Sequence, residues 1–129
     1  MEQVAINTSV NVKDGPSINV NTRLDSDAYV VASVALIKQA TDTVVIMPNP
    51  STASLLVINA TKDADQKPAK VEVVPAGTAD GSKLVVTGSL LVANADAIAG
   101  LAAGGPQKLT VKNTEAVAVT VSILAAFNS

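Results

Sequence analysis

Alternating apolar and polar residues run through most of the chain, and this period of two predicts β-strands. Between Val4 and Val12 every second residue is Val, Ile or Thr, whereas the residues between them are Ala, Asn or Ser. The turn-forming residues Lys13-Asp14-Gly15-Pro16 follow, and the alternation resumes at Ile18 and Val20. Residues 1–21 therefore predict a hairpin, or two consecutive strands, with one apolar face and one face rich in Asn.

The rest of the chain continues the pattern of short strands. Two runs, at residues 28–37 and 43–47, are apolar on both faces, which predicts strands that are covered on both sides. Alternating segments follow at 54–59, 69–74, 83–92, 107–113 and 116–126. We therefore predict an all-β fold of roughly eight or nine strands. Residues 1–129 are expected to form a single domain, a two-layer antiparallel β-sandwich that is immunoglobulin-like or jelly-roll-like.

One Ala-rich segment departs from the alternation. It can be capped at Asn94 or Asp96 and is stopped by Gly104-Gly105-Pro106. We predict one short helix near residues 95–103 that crosses between the two sheets, with Ile98 and Leu101 pointing inward. Within the segment 83–92, Gly88 predicts a bulge or a close approach of two backbones.

The composition of the chain argues against a catalytic or metal-binding function. The chain has no His, Cys or Trp, and its only aromatic residues are Tyr29 and Phe127, whereas Val and Ala together dominate the alternating runs. The missing residue types do most acid–base work, nucleophilic attack, transition-metal binding and base stacking. We therefore expect a protein that is not an enzyme, needs no cofactor and takes no small-molecule substrate.

Charge narrows the range of partners. Charged residues make up 16% of the chain and the formal net charge is -2, whereas about 25% charged residues is usual. This balance predicts neither a nucleic-acid partner nor a membrane partner, and residues 1–8 do not resemble a signal peptide. A surface with so little charge must be covered by neutral polar residues or by other subunits.

Carboxylates are the remaining candidates for a binding site. Asp25-Ser26-Asp27 and Asp63-Ala64-Asp65 each place two acids close together, which can suit Ca²⁺. Neither has the further ligand spacing of a calcium loop, and basic residues lie close to both. The sequence favours solvated turns, and we predict no metal site.

The N-terminal segment is the candidate contact surface. Its first strand is uncharged from Gln3 to Val12 and lacks the Lys or Pro that usually protects an exposed edge. The Asn-rich face could bind sugar or ordered water, or keep an edge strand soluble without charge. We hypothesise that residues 1–21 form an arm that contacts other subunits through its apolar residues Val4, Ile6, Val10, Val12, Ile18 and Val20.

A phrase near the C-terminus carries a family resemblance. Lys108-Leu109-Thr110-Val111-Lys112-Asn113-Thr114 leads into an alternating Val/Thr strand, and Leu55 to Thr61 carries a similar phrase. The pattern resembles small all-β structural proteins of tailed-phage virions, such as head decoration and tail-associated proteins. The resemblance implies a virion component that assembles in the host cytoplasm. Together with the low charge and the unprotected first strand, it favours a homo-oligomer that docks on a larger protein shell. It transfers no functional residues.

A second class of function stays open on the sequence. A secreted or surface β-sandwich can act as an adhesive or carbohydrate-binding module, which would place the protein outside the cell. Such a module needs exposed aromatic side chains in a groove, and only Tyr29 and Phe127 are available.

Overall fold

Antiparallel strands make up nearly all the regular structure. The structure is a computed structural model that describes residues 2–11, 13–26, 28–46 and 52–128. Its strands are β1 (Glu2–Asn11), β2 (Ser17–Ser26), β3 (Ala28–Leu36), β4 (Thr41–Val45), β5 (Thr52–Lys62), β6 (Lys70–Ala76), β7 (Leu84–Thr87), β8 (Ser89–Val92), β9 (Lys108–Asn113) and β10 (Val119–Asn128). One helix, α1, spans Ala95–Ala99.

Eight of the strands form two sheets that share one core. The first sheet has the order β3-β10-β5-β8 and the second has the order β4-β9-β6-β7. Their facing sides bury Val, Ile and Leu from both sheets, among them Leu56, Ile58, Val71, Val73, Leu109, Val111, Val121 and Ile123. The predicted all-β sandwich is confirmed. Strands β1 and β2 form a separate two-stranded sheet outside it.

The strand order is that of a jelly roll. Four strands pair in succession with the last four in reverse order, β3 with β10, β4 with β9, β5 with β8 and β6 with β7. This long antiparallel ribbon is rolled so that β10 also pairs with β5, and β9 with β6. Of the two sandwich types that the sequence allows, the pairing selects the jelly roll.

Gly88 divides the segment that the sequence presents as one strand. Residues 84–87 belong to the second sheet and residues 89–92 to the first, so the prediction of a single strand over 83–92 was wrong. Gly88 has φ +80°, and a Cβ built on it would lie 3.2 Å from a side-chain atom of Pro68. Its N–H donates to the Ala69 carbonyl and its own carbonyl accepts from the Ala60 N–H. Only Gly adopts this corner without strain, because it lacks a Cβ.

The helix makes the crossing that the sequence predicts. It connects β8 in the first sheet with β9 in the second. The Asn94 side chain caps it by accepting the Ala97 N–H at 3.0 Å. Ile98 is buried in the core and Leu101 packs against it from the following turn.

The two runs that are apolar on both faces lie at sheet edges. Val31 in β3 and Val45 in β4 are 67% and 57% exposed on the outer faces of their sheets. The expectation that residues 28–37 and 43–47 are covered on both sides was therefore wrong for the described residues. The sequence pattern shows that both faces of these strands are apolar. It does not show whether other parts of this chain pack over both faces.

Asn113 is the one buried polar residue among those whose burial the structure describes. Its Nδ2 lies 3.2, 3.1 and 2.9 Å from the carbonyl oxygens of Leu36, Ile37 and Val117. Its Oδ1 accepts the Glu115 N–H at 2.8 Å, and its own N–H donates to the Ala40 carbonyl. One side chain thus satisfies backbone groups where β3 passes to β4 and where β9 passes to β10.

We expect Asn113→Asp to lower the free energy of unfolding by about 3 kcal/mol or more, because it removes both N–H donors and sets a carboxylate against carbonyl oxygens. Urea denaturation measures the change. Asn59→Asp is the matched control, since Asn59 is exposed and accepts a hydrogen bond from the Ser89 hydroxyl, which a carboxylate also accepts. It should change the free energy by less than about 1 kcal/mol. Equal losses in the two variants would contradict the role given to Asn113.

Candidate interaction surface

The hairpin that the sequence predicts forms, and it sorts its residues onto two faces. We call β1, β2 and their turn the arm. Val10 lies opposite Ile18 and Thr8 lies opposite Val20, so these four residues share one face. The opposite face carries the polar residues Asn7, Ser9, Asn11, Asn19 and Asn21. The alternation at the N-terminus therefore produces an amphipathic two-stranded ribbon.

The base of the arm rests on the sandwich. Ile6 is buried against Leu55 and Ala126, which lie on the outer face of the first sheet. Val4 packs beside it, half-buried, against the same apolar cluster. A groove of about 200 Å³ remains between the arm base and this sheet. Two of the predicted contact residues, Val4 and Ile6, therefore attach the arm to its own chain.

The outer half of the arm leaves the sandwich with its apolar face uncovered. Val10, Ile18 and Val20 are 56%, 65% and 45% exposed. Every residue from Lys13 to Asn21 is exposed. We call Val10, Ile18 and Val20 the arm tip. Val12, the remaining residue of the predicted contact, lies outside the described residues.

Polar side chains on the polar face of the arm form hydrogen bonds with one another. The Ser9 hydroxyl donates to Asn19 Oδ1 across the strands at 2.9 Å. Asn11 Nδ2 donates to Ser9 Oγ at 3.2 Å. Short polar side chains that bond to one another support the pairing of β1 with β2 on this face, which also carries the exposed Arg23 opposite Ala5.

Of the carboxylates considered for Ca²⁺, Asp63 and Asp65 belong to a turn, whereas Asp25 lies in strand β2, so the expectation of a turn was wrong there. Asp63 accepts the Thr120 hydroxyl at 2.6 Å and Asp65 accepts the Lys67 N–H at 3.0 Å. Asp27, from the other pair, lies outside the described residues. Among the residues described, no group of three or more His, Cys, Asp or Glu could hold a metal ion. No helix in the described part of the chain is long and apolar enough to cross a membrane.

The two aromatic residues lie in different environments. Tyr29 is 54% exposed on the outer face of β3. Phe127 is half-buried and packs against the main core. They do not form the paired aromatic platform that a carbohydrate-binding groove would use. A separate cleft of about 380 Å³ lies between residues 80–84 and 100–103, and Asp80 is the one ionisable residue in its lining.

Sequence reasoning missed the open edge of β3. Within the described residues β3 pairs with β10 on one side and with no strand on the other. The sequence did contain a relevant feature, because a run that is apolar on both faces predicts that both faces are covered. The pattern does not give the position of the strand in its sheet, because that position depends on pairings far apart in sequence.

Comparison with known proteins identifies no relative of this chain. No family model, no curated protein and no solved structure matches the chain.

We expect Ile6→Ala to loosen the arm while the sandwich stays folded, because it removes buried apolar contact with Leu55 and Ala126. Amide hydrogen exchange measured by mass spectrometry should show β1 and β2 exchanging about tenfold faster or more, since weaker local packing raises the open population. Val10→Ala is the control, because Val10 is exposed. Equal acceleration in the two variants would show that the Ile6 contact does not hold the arm.

Proposed function

We propose that this protein is a non-enzymatic structural protein that works by association, as a component of a phage-like virion. In this role it binds copies of itself and a larger protein shell, as head decoration or tail-associated proteins do. Its assembly would take place in the host cytoplasm. The arm supplies the contact, with the arm tip as its apolar centre.

The observation that carries this proposal is the divided apolar face of the arm. At the base, Val4 and Ile6 pack on the sandwich. Further out, the same face presents Val10, Ile18 and Val20 to solvent. A two-stranded hairpin is marginally stable by itself. An arm tip that carries three exposed branched side chains gains stability when a partner covers them.

The fold and composition agree with this role without determining it. Jelly rolls serve in viral capsid domains and also in lectin domains, so the fold alone does not choose between the two classes. The low charged fraction leaves neutral surface that an assembly can cover. A carbohydrate-binding role lacks comparable support, because Phe127 packs inside and leaves Tyr29 as the exposed aromatic.

We expect the triple variant Val10→Thr, Ile18→Thr and Val20→Thr to weaken association at least tenfold, because it replaces the apolar contact of the arm tip with hydroxyl groups. Thr is a good strand former, so the arm itself should remain paired. Light scattering at several protein concentrations measures the assembled species. The unmodified chain should form species larger than those of the variant.

The matched control places the same three Thr residues on the opposite face of the arm, as Asn11→Thr, Ser17→Thr and Asn21→Thr. This control should assemble as the unmodified chain does. A chain that shows no concentration-dependent association, or variants that associate equally, would overturn the assembly role of the arm.

A further inference from the structure

In the part of the chain that the structure describes, one edge of strand β3 pairs with no other strand and is poorly protected. It spans nine residues, Ala28–Leu36, with the sequence AYVVASVAL, and carries no charge, Pro or Gly. It pairs with β10 in an unbroken register, so no bulge bends it away. Long uncharged edge strands of this kind offer unpaired N–H and C=O groups to another strand.

The other outer strands of the two sandwich sheets are better protected. Strands β7 and β8 have only four residues each, and β4 has five with Asp42 among them. An ion pair between Lys83 and Glu72, 3.3 Å apart, lies beside β7. Short strands and charged side chains both discourage pairing at an edge. Among the edges of these two sheets, β3 is therefore the one fit to accept another strand.

Both faces of β3 also remain partly uncovered. Ala32 and Val34 point toward the core and pack against it, yet they are only half-buried. On the neighbouring strand β10, Val121 and Ile123 are almost completely buried. On the outer face, Tyr29 and Val31 are exposed. A strand added beside β3 would cover the inner-face residues and lie against the outer-face ones.

We infer that β3 pairs antiparallel with β3 of a second copy of this chain about a two-fold axis at Ala32. Ala32 is the midpoint of the nine-residue strand, so this register pairs every residue of β3. The first sheet of one copy, β3-β10-β5-β8, would join the same sheet of the other copy, and the two would form one continuous eight-stranded sheet. A two-fold contact of this kind is closed and uses the same surface on both copies.

The side chains of β3 fit this self-pairing. About Ala32, Tyr29 would face Ala35 and Val31 would face Ser33, so each large outer residue meets a small one. No charged residue lies on the strand, so two copies bring no like charges together. This surface is separate from the arm tip, and the inference does not depend on the arm binding a shell.

The first test adds a charge at the edge. Ser33→Lys places a Lys on the exposed outer face next to the axis, where two copies would bring two cations together. Ser122→Lys is the matched control, because Ser122 is exposed and lies directly opposite Ser33 on the interior strand β10. Both substitutions are made in the arm-tip Thr variant, which is expected to stop at the dimer. Measured by light scattering, the dimer should persist with Ser122→Lys, and Ser33→Lys should raise its dissociation constant at least tenfold.

A second test reads the register directly. The chain has no Cys, so a single introduced thiol is the only one present. Ala32→Cys should form an intermolecular disulfide on mild oxidation, because the two thiols meet at the axis. Ala35→Cys should not, because strands rise about 3.3 Å per residue and the paired register separates its thiols by about 20 Å. Faster cross-linking at residue 35 than at residue 32 would overturn the register.

Three outcomes would overturn the β3 pairing itself. One is a chain that stays monomeric at high concentration, and another is equal weakening of the dimer by Ser33→Lys and Ser122→Lys. The third is loss of the dimer in the arm-tip Thr variant, since that would assign the dimer to the arm. The expected result for the arm-tip variant is a dimer that no longer forms larger species. Failure of the arm contact and failure of the β3 pairing therefore give different results.

Discussion

The hydrogen bonds of Asn113 are the constraint on which the rolled ribbon depends. A ribbon that passes from one sheet to the other must turn both of its strands at the same place, and each turn takes backbone groups out of the ladder. Here the turns after Leu36 and after Asn113 are adjacent, and the Asn113 amide bonds to both of them. An apolar residue of similar size would leave these carbonyls without the donors that Asn113 supplies. Because the same side chain serves both strands, the two turns are stabilised or lost together.

This fixed corner leaves the opposite end of the sandwich free to carry the arm. Strand β3 runs from the arm, at Ala28, to the Asn113 corner, beyond Leu36. Among the residues whose burial the structure describes, none from the arm belongs to the core between the sheets, and Ile6 instead packs on the outer face. The stability of the sandwich and the position of the arm are therefore set by different contacts. Changes at the arm tip are therefore expected to have little effect on the core.

Local features were predictable from the sequence, and long-range pairing was not. The hairpin and the helix near Ile98 follow from alternation, turn residues and caps, which act over a few residues. The choice between an immunoglobulin-like sandwich and a jelly roll depends on which distant strands pair, as β3 does with β10. Gly88 marked the break between β7 and β8, but alternation on both sides of it made them look continuous. For the candidate surface, the sequence identified the apolar face of the arm. It could not separate Ile6, which is covered by its own chain, from Val10, which is not.

The error on β3 comes from a disagreement between the sequence pattern and the position of the strand in the sheet. A run that is apolar on both faces indicates a strand that is covered on both faces, but it does not indicate which chain supplies the cover. In β3, Val31 belongs to a run whose pattern predicts cover on both faces, yet its side chain is 67% exposed. The arm tip shows the same disagreement at Ile18, which is 65% exposed. Two such mismatches, on separate elements of a chain with little charge, are the observations on which the proposed arm and β3 contacts rest. In those two proposals neighbouring chains supply the missing cover, through backbone pairing at β3 and side-chain packing at the arm.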